Sequence, residues 1–143
     1  MRVSEILLNK GSETVTIRPD DSIAHAVELL RDHGYGALVV STDEARIEGI
    51  VSERDIVRAL GFREDLLDLE VATIMTADVV TCSPDDRTDE LMTMMTERRV
   101  RHLPVEIDGE LSGVISIGDV VKARVAELEL EAEAMAQYIH HGR

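Results

Sequence analysis

The chain states nearly the same thing twice. Val15-Thr16-Ile17-Arg18-Pro19-Asp20-Asp21 returns 65 positions later as Val80-Thr81-Cys82-Ser83-Pro84-Asp85-Asp86, and Gly49-Ile50-Val51-Ser52-Glu53-Arg54-Asp55-Ile56-Val57 returns as Gly113-Val114-Ile115-Ser116-Ile117-Gly118-Asp119-Val120-Val121. A single unit of such a repeat leaves an apolar face that its twin can cover, so two similar halves fold together. The duplication also sets two equivalent polar sites on either side of a pseudo-twofold axis.

The 143 residues suffice for one compact domain or two half-sized units, and 44% of them are apolar. Aromatic residues are only 2% of the chain, so the interior is aliphatic. Base-stacking recognition of nucleic acid needs aromatic platforms, and a formal net charge of −14 repels phosphate backbones and anionic membranes alike. A small anion held in a locally basic pocket stays compatible with that charge. Cys82 is the sole cysteine, which excludes an intrachain disulfide and fits a reducing compartment. Ile6-Leu7-Leu8 is too short for a signal peptide, and no apolar run reaches the roughly 20 residues of a membrane span. The chain is expected to be soluble and cytoplasmic.

Apolar spacing predicts the same order of elements in each half. Val15 to Arg18 reads as a strand. A helix follows, capped by Asp21 or Ser22, with Ile23, Ala26, Val27 and Leu30 on one face and Gly34 as its stop. Ala37 to Val40 and Gly49 to Val51 read as strands, and Glu53 to Leu60 as a helix with Ile56, Val57 and Leu60 on one side. In the second half the strand is Val79 to Cys82, and Leu91, Met92 and Met95 match Ala26, Val27 and Leu30. Leu103 to Ile107 and Leu111 to Ile115 flank an Asp108-Gly109 hairpin turn. Each half is thus β-α-β-β-α, an α+β fold of small sheets packed against helices. The expected divisions are 1–61 (N-terminal segment and first repeat), 62–78 (linker, with one short helix around Val71 to Met75), 79–125 (second repeat) and 126–143 (extension of the last helix). That last helix is expected to run to about Gln137. Its glutamates make a solvated face, and Val121, Val125, Leu128 and Met135 are placed to pack on the second repeat or a second subunit.

Gly-apolar-apolar-Ser-x-x-Asp marks the passage from a strand into a helix. The Ser hydroxyl and the first helical amides point to one spot, where the positive end of the helix dipole suits an anion. The Asp carboxylate, three residues on, can accept two hydrogen bonds from a vicinal diol such as a ribose. The same residues can instead cap the helix, Ser52 and Ser116 as N-caps with Asp55 and Asp119 as capping-box partners. The two roles are compatible.

With the Pro-Asp-Asp after each first strand, the Arg101-His102-Leu103-Pro104-Val105 string and both Gly-x-x-Ser-x-x-Asp motifs, residues 1 to about 125 resemble a tandem pair of cystathionine-β-synthase (CBS) domains. The resemblance implies a non-catalytic regulatory module whose clefts bind adenosine-containing ligands: AMP, ADP, ATP, NAD(H) or S-adenosylmethionine. It implies a face-to-face homodimer and, with no catalytic domain attached here, a regulated partner chain. Carried over by position, one cleft would gather Ser52, Asp55, Thr76, Val79, Arg101 and His102. The other would gather Ser116, Asp119, Lys10, Gly11 and Ala37, with the two aspartates on ribose.

The halves differ in charge. Arg98, Arg99, Arg101 and His102 fall within five residues, whereas the matching His33-Gly34-Tyr35-Gly36-Ala37 is nearly bare. Arg54 and Arg58 add charge beside Asp55, and Ile117 and Gly118 stand where Glu53 and Arg54 do. The Asp55 cleft is therefore expected to take the more highly charged phosphate end.

His140 and His141 lack metal-ligand spacing and read as a frayed tail, His25 as an exposed helix residue, Met92, Met94 and Met95 as core filling, and Cys82 as buried. Neither a G-x-x-x-x-G-K-[ST] loop nor a G-x-G-x-x-G fingerprint occurs. The main alternative is a structural or partner-binding homodimer with vestigial clefts. An enzyme such as a nucleotide hydrolase would need a base and usually a metal, and the charged residues lack that arrangement.

Overall fold

The repeat is visible first in the hydrogen bonds that tie distant segments together. In the computed structural model, which describes residues 1–11 and 13–141, the Val3 amide donates to the Asp86 carbonyl at 2.9 Å and the Val71 amide to Asp21 at 2.8 Å. Likewise Ser4 donates to Pro84 and Ala72 to Pro19, both at 3.0 Å. Asp21 and Pro19 lie 65 positions before Asp86 and Pro84, so these bonds are two copies of one design.

They also show an exchange. The N-terminal helix α1 (Val3–Lys10) packs on the second repeat, where Val3 and Ile6 join a core with Cys82, Leu91, Met95, Leu103, Val105, Ile115, Val120 and Ala123. The segment between the repeats packs on the first. Its 3₁₀ turns Leu66–Asp68 and Val71–Thr73 place Leu66 and Val71 in a core with Ile17, Ile23, Ala26, Leu30, Leu38, Val40, Val51 and Ile56. Two short 3₁₀ turns thus stand where one short helix was expected. Each half is completed by the segment that precedes the other half's first strand.

In the first repeat β1 (Thr16–Ile17) pairs parallel with β2 (Ala37–Val40), which pairs antiparallel with β3 (Gly49–Ser52). Helix α2 (Ile23–His33) separates β1 from β2. Ser22 caps it by accepting from the His25 amide, and Gly34 ends it in the left-handed conformation at φ 67°. Helix α3 (Glu53–Leu60) follows β3 directly.

The second repeat runs α4 (Thr88–Arg98), β4 (His102–Ile107), β5 (Glu110–Ser116) and α5 (Ile117–His141). Asp108 (φ 52°) and Gly109 (φ 81°) turn the hairpin, both in the positive-φ geometry of a tight two-residue turn. The strand expected over Val79 to Cys82 is reduced to one parallel bridge, Cys82 to Val105, the counterpart of Ile17 to Val40. Cys82 donates to the Pro104 carbonyl and accepts from Glu106, both at 2.9 Å. The next bond along this parallel ladder would need an N–H from Pro104, which has none.

Three helices have narrower buried stripes than their spacing suggests. Val27, Val57, Leu60 and Met92 are exposed, while Ile23, Ala26, Leu30, Ile56, Leu91 and Met95 are buried as expected. Helix α5 runs through the last residue described, so His140 and His141 are helical rather than a frayed tail. It buries only Val120 and Ala123, and Val121, Val125, Leu128 and Met135 stay exposed instead of packing on the second repeat. Among the described residues no helix is long and apolar enough to cross a membrane.

Candidate functional site

Both Ser-x-x-Asp motifs form complete caps. Ser52 Oγ accepts from the Asp55 amide at 3.2 Å, and Asp55 Oδ2 accepts from the Ser52 amide at 2.8 Å and from the Ser52 hydroxyl at 3.0 Å. Ser116 Oγ accepts from the Asp119 amide at 3.2 Å, and Asp119 Oδ2 accepts from the Ser116 amide at 2.9 Å. The first helical amides are occupied as well, Glu53 donating to Gly36 at 3.0 Å and Ile117 to Arg101 at 2.8 Å. Capping thus occupies most of the donors at each helix end and leaves the Arg54 and Gly118 amides, so charged side chains matter for any anion bound beside them.

Those side chains converge on one cleft. A cavity of about 310 Å³ lies between the repeats, lined by Ser52, Arg54, Asp55, Arg58, Thr76, Val79, Arg99, Arg101 and His102 and by the acidic Glu53 and Asp78, with Gly36, Ala37, Ile50 and Val80 among its apolar walls. Every residue expected in the first cleft lines it. Ala37, which the resemblance placed with the other group, lines it too. Arg99, which belonged to the basic cluster but not to the expected contacts, also faces the cavity. Its signal was present in the sequence, since it stands 65 positions after the helix-ending Gly34. Thr76 is positioned by the exchanged segment, whose backbone pairs with Ile50 through two 2.9 Å bonds.

His102 lines this cavity and lies within reach of the charges of Glu53, Lys10 and Asp119. Its ring presses on Gly36 so closely that a Cβ there would meet Cε1 and Nε2 at 2.9 Å. Burial is the main cause holding its pKa below the usual imidazole value, opposed by the Glu53 carboxylate.

The second group meets differently. Lys10, at the end of α1, donates from Nζ to Asp119 Oδ2 at 2.5 Å and to the Val114 carbonyl at 2.8 Å. Gly11 ends α1 at φ 93°, donating its amide to the Leu7 carbonyl at 2.8 Å. Burial pushes the Asp119 carboxyl up, yet the Lys10 ammonium and the Ser116 amide outweigh it and hold the pKa below the ordinary value. Asp119 is thus already partnered by a cation of its own chain, whereas the hydrogen bonds of Asp55 stay within its own cap. Cys82 is buried and its thiol is pushed up to about 12, first by burial and then by the Asp86 charge. Among the described residues no group of three or more His, Cys, Asp or Glu is placed to hold a metal ion.

A family profile described as CBS domain matches residues 3–61 and 71–126. The chain belongs to the CBS-domain family. It is 32% identical over 149 aligned residues to a mitochondrial CBS domain-containing protein of Arabidopsis thaliana, covering 98% of this chain and 72% of that one. Among solved structures, a CBS-domain-containing protein from Agrobacterium tumefaciens superposes with a TM-score of 0.84 at 45% identity, covering 87% of this chain and 99% of the other. A CBS-domain protein from Pyrobaculum aerophilum, complexed with AMP, superposes with a TM-score of 0.79 at 31% identity, covering 92% and 99%.

Proposed function

We propose that this chain is a non-catalytic regulatory module that binds an adenosine-containing nucleotide (AMP, ATP or NAD(H)) in the Asp55 cleft and relays its occupancy to a partner protein. One observation carries the reading: four arginines (Arg54, Arg58, Arg99 and Arg101), outnumbering the three carboxylates Glu53, Asp55 and Asp78, line one cavity between the repeats of a strongly acidic protein. The AMP complex of the Pyrobaculum aerophilum relative supports the ligand class. In this reading Asp55 accepts from the ribose hydroxyls, and Val79, Ala37 and Ile50 flank the base. Arg101 and His102 take the phosphates with Arg54, while Ser52 holds Asp55 in place. On the other side Ser116, Asp119, Lys10 and Gly11 form a second, weaker site.

Calorimetric titration with AMP, ATP and NADH tests this. At least one ligand should bind, the more highly charged ones with affinity that falls as salt rises. Absence of heat with all three overturns the reading.

A further inference from the structure

Helix α5 continues well past the last family-matched residue, 126. Over about 27 Å it carries an apolar seam that stays exposed. Val121, Val125, Leu128, Ala132, Met135 and Ile139 are spaced 4, 3, 4, 3 and 4 residues apart, the heptad rhythm of helices that pair in a coiled coil. All six are exposed. The face packed on the domain is a different one, carrying Val120 and Ala123.

We propose that this seam pairs antiparallel with α5 of a second copy of the chain. The charges flanking it choose both occupant and direction. Lys122 and Arg124 border the seam near its start, and Glu129 and Glu131 border it one heptad later. Antiparallel helices bring equivalent flanking positions together, so Lys122 meets Glu129 of the second copy and Arg124 meets its Glu131. By symmetry each pairing occurs twice. A parallel pair would match only Arg124 with Glu129.

The same register fits by size. Val125 lies opposite Leu128, Val121 opposite the small Ala132, and Gly118 opposite Met135. Arg124 already bonds Glu127 at 2.9 Å within the chain, so its second partner shares the guanidinium rather than replacing that bond. The start of the seam merges with a cavity of about 350 Å³ lined by Met92, Met95, Ile117, Val120 and Val121 and also by Arg54, Arg99 and Arg101. Its apolar residues give the Met135 end of the second copy a surface to rest on.

Sedimentation equilibrium on the full chain tests the proposal, with circular dichroism to confirm that each variant folds. The wild type should be dimeric at micromolar concentration. Leu128→Asp should weaken dimerisation at least tenfold. Glu129→Lys should weaken it several-fold, and the Lys122→Glu/Glu129→Lys double variant should recover it. For direction, Val125→Cys and Leu128→Cys proteins are mixed and mildly oxidised, Cys82 being buried. They should form the mixed disulfide dimer in preference to either homodimer. A monomeric wild type, a dimer indifferent to Leu128→Asp, or dominant Leu128→Cys homodimers would each overturn the pairing. Nucleotide binding at Asp55 is read separately by calorimetry, so failure of the pairing and failure of that reading are distinguished.

Discussion

The two halves share a backbone plan down to individual hydrogen bonds, and they differ where a ligand would be held. At the end of α2 the left-handed position is Gly34 (φ 67°, ψ 30°), and at the end of α4 it is Arg99 (φ 55°, ψ 42°). Glycine occupies that conformation without strain, whereas a side chain costs about 1–2 kcal/mol. Beside Asp55 lie the guanidinium groups that line the cavity. Beside Asp119 lies a lysine already bonded to it. Duplication supplied the frame, and substitution within it separated an arginine-lined cleft at Asp55 from an Asp119 already bonded to a lysine.

The sharpest way to break this comparison is to remove each carboxylate in turn. In the proposed reading Asp55→Ala deletes two charge-assisted hydrogen bonds at roughly 1.5–3 kcal/mol each. Calorimetry should show nucleotide affinity falling at least a hundredfold, while Asp119→Ala changes it by less than tenfold. Equal losses would mean that the Lys10 contact does not distinguish the clefts. Both variants forfeit the carboxylate half of a capping box and keep its serine cap.

The structural half of the comparison turns on the exchanged segments. Leu66 is 1% exposed and Ile6 5% exposed, each in the core of the repeat that its sequence position does not suggest. Leu66→Ala and Ile6→Ala should each cost about 2–5 kcal/mol in urea unfolding, as large-to-small core substitutions do. A loss below about 0.5 kcal/mol for Leu66→Ala, the scale of a surface substitution, would show that the segment between the repeats is merely a tether.

Much of this was legible in the sequence, for definite reasons. Strands β2 to β5, the hairpin turn and the four repeat helices follow from periodicity and from Gly34 and Asp108-Gly109. Asp55, Ser52, Arg101 and His102 came from the duplicated motif and the clustered charge, and the structure brings them to one cavity. The exchange was hidden because the segments diverged. Arg2 and Glu70 sit at matching bridges, to Arg87 and Ser22, but 68 positions apart rather than 65. Helical spacing overcounted the core at Val27, Val57, Leu60 and Met92 because it reports which side is apolar, not how much of that side a two- or three-stranded sheet can cover.

The bond between Lys10 and Asp119 gives a pH signature. Asp119 has a folded pKa below its ordinary value, so its contribution to stability is present above the unfolded pKa and is lost as pH falls through the folded one. Lys10→Met removes the ammonium and should raise the Asp119 pKa in a carboxyl NMR titration. It should also flatten the acid limb of the stability profile. An unmoved Asp119 titration would dissolve the contrast between the clefts.

Arg99 should separate stability from binding. Arg99→Gly relieves the left-handed strain and is expected to raise stability by about 1 kcal/mol. It should also weaken binding of a multiply charged nucleotide several-fold. A variant that gains stability with unchanged affinity would assign Arg99 to the surface rather than to the ligand.

The smallest expected effect concerns the missing strand. If the proline's absent N–H alone truncates the ladder at Cys82, Pro104→Val restores a donor where Val39 stands in the first repeat. One added backbone hydrogen bond contributes about 0.5–1.5 kcal/mol, and the wider freedom of the unfolded chain without proline offsets up to about 1 kcal/mol of it. Net stability should therefore move little. Amide exchange reads the change directly: the N–H that Pro104→Val introduces should be protected well above a free loop amide, with the Val80 carbonyl as acceptor. An unprotected amide at that position would mean that the difference between the two sheets is set by the path of residues 79–81 and not by the proline.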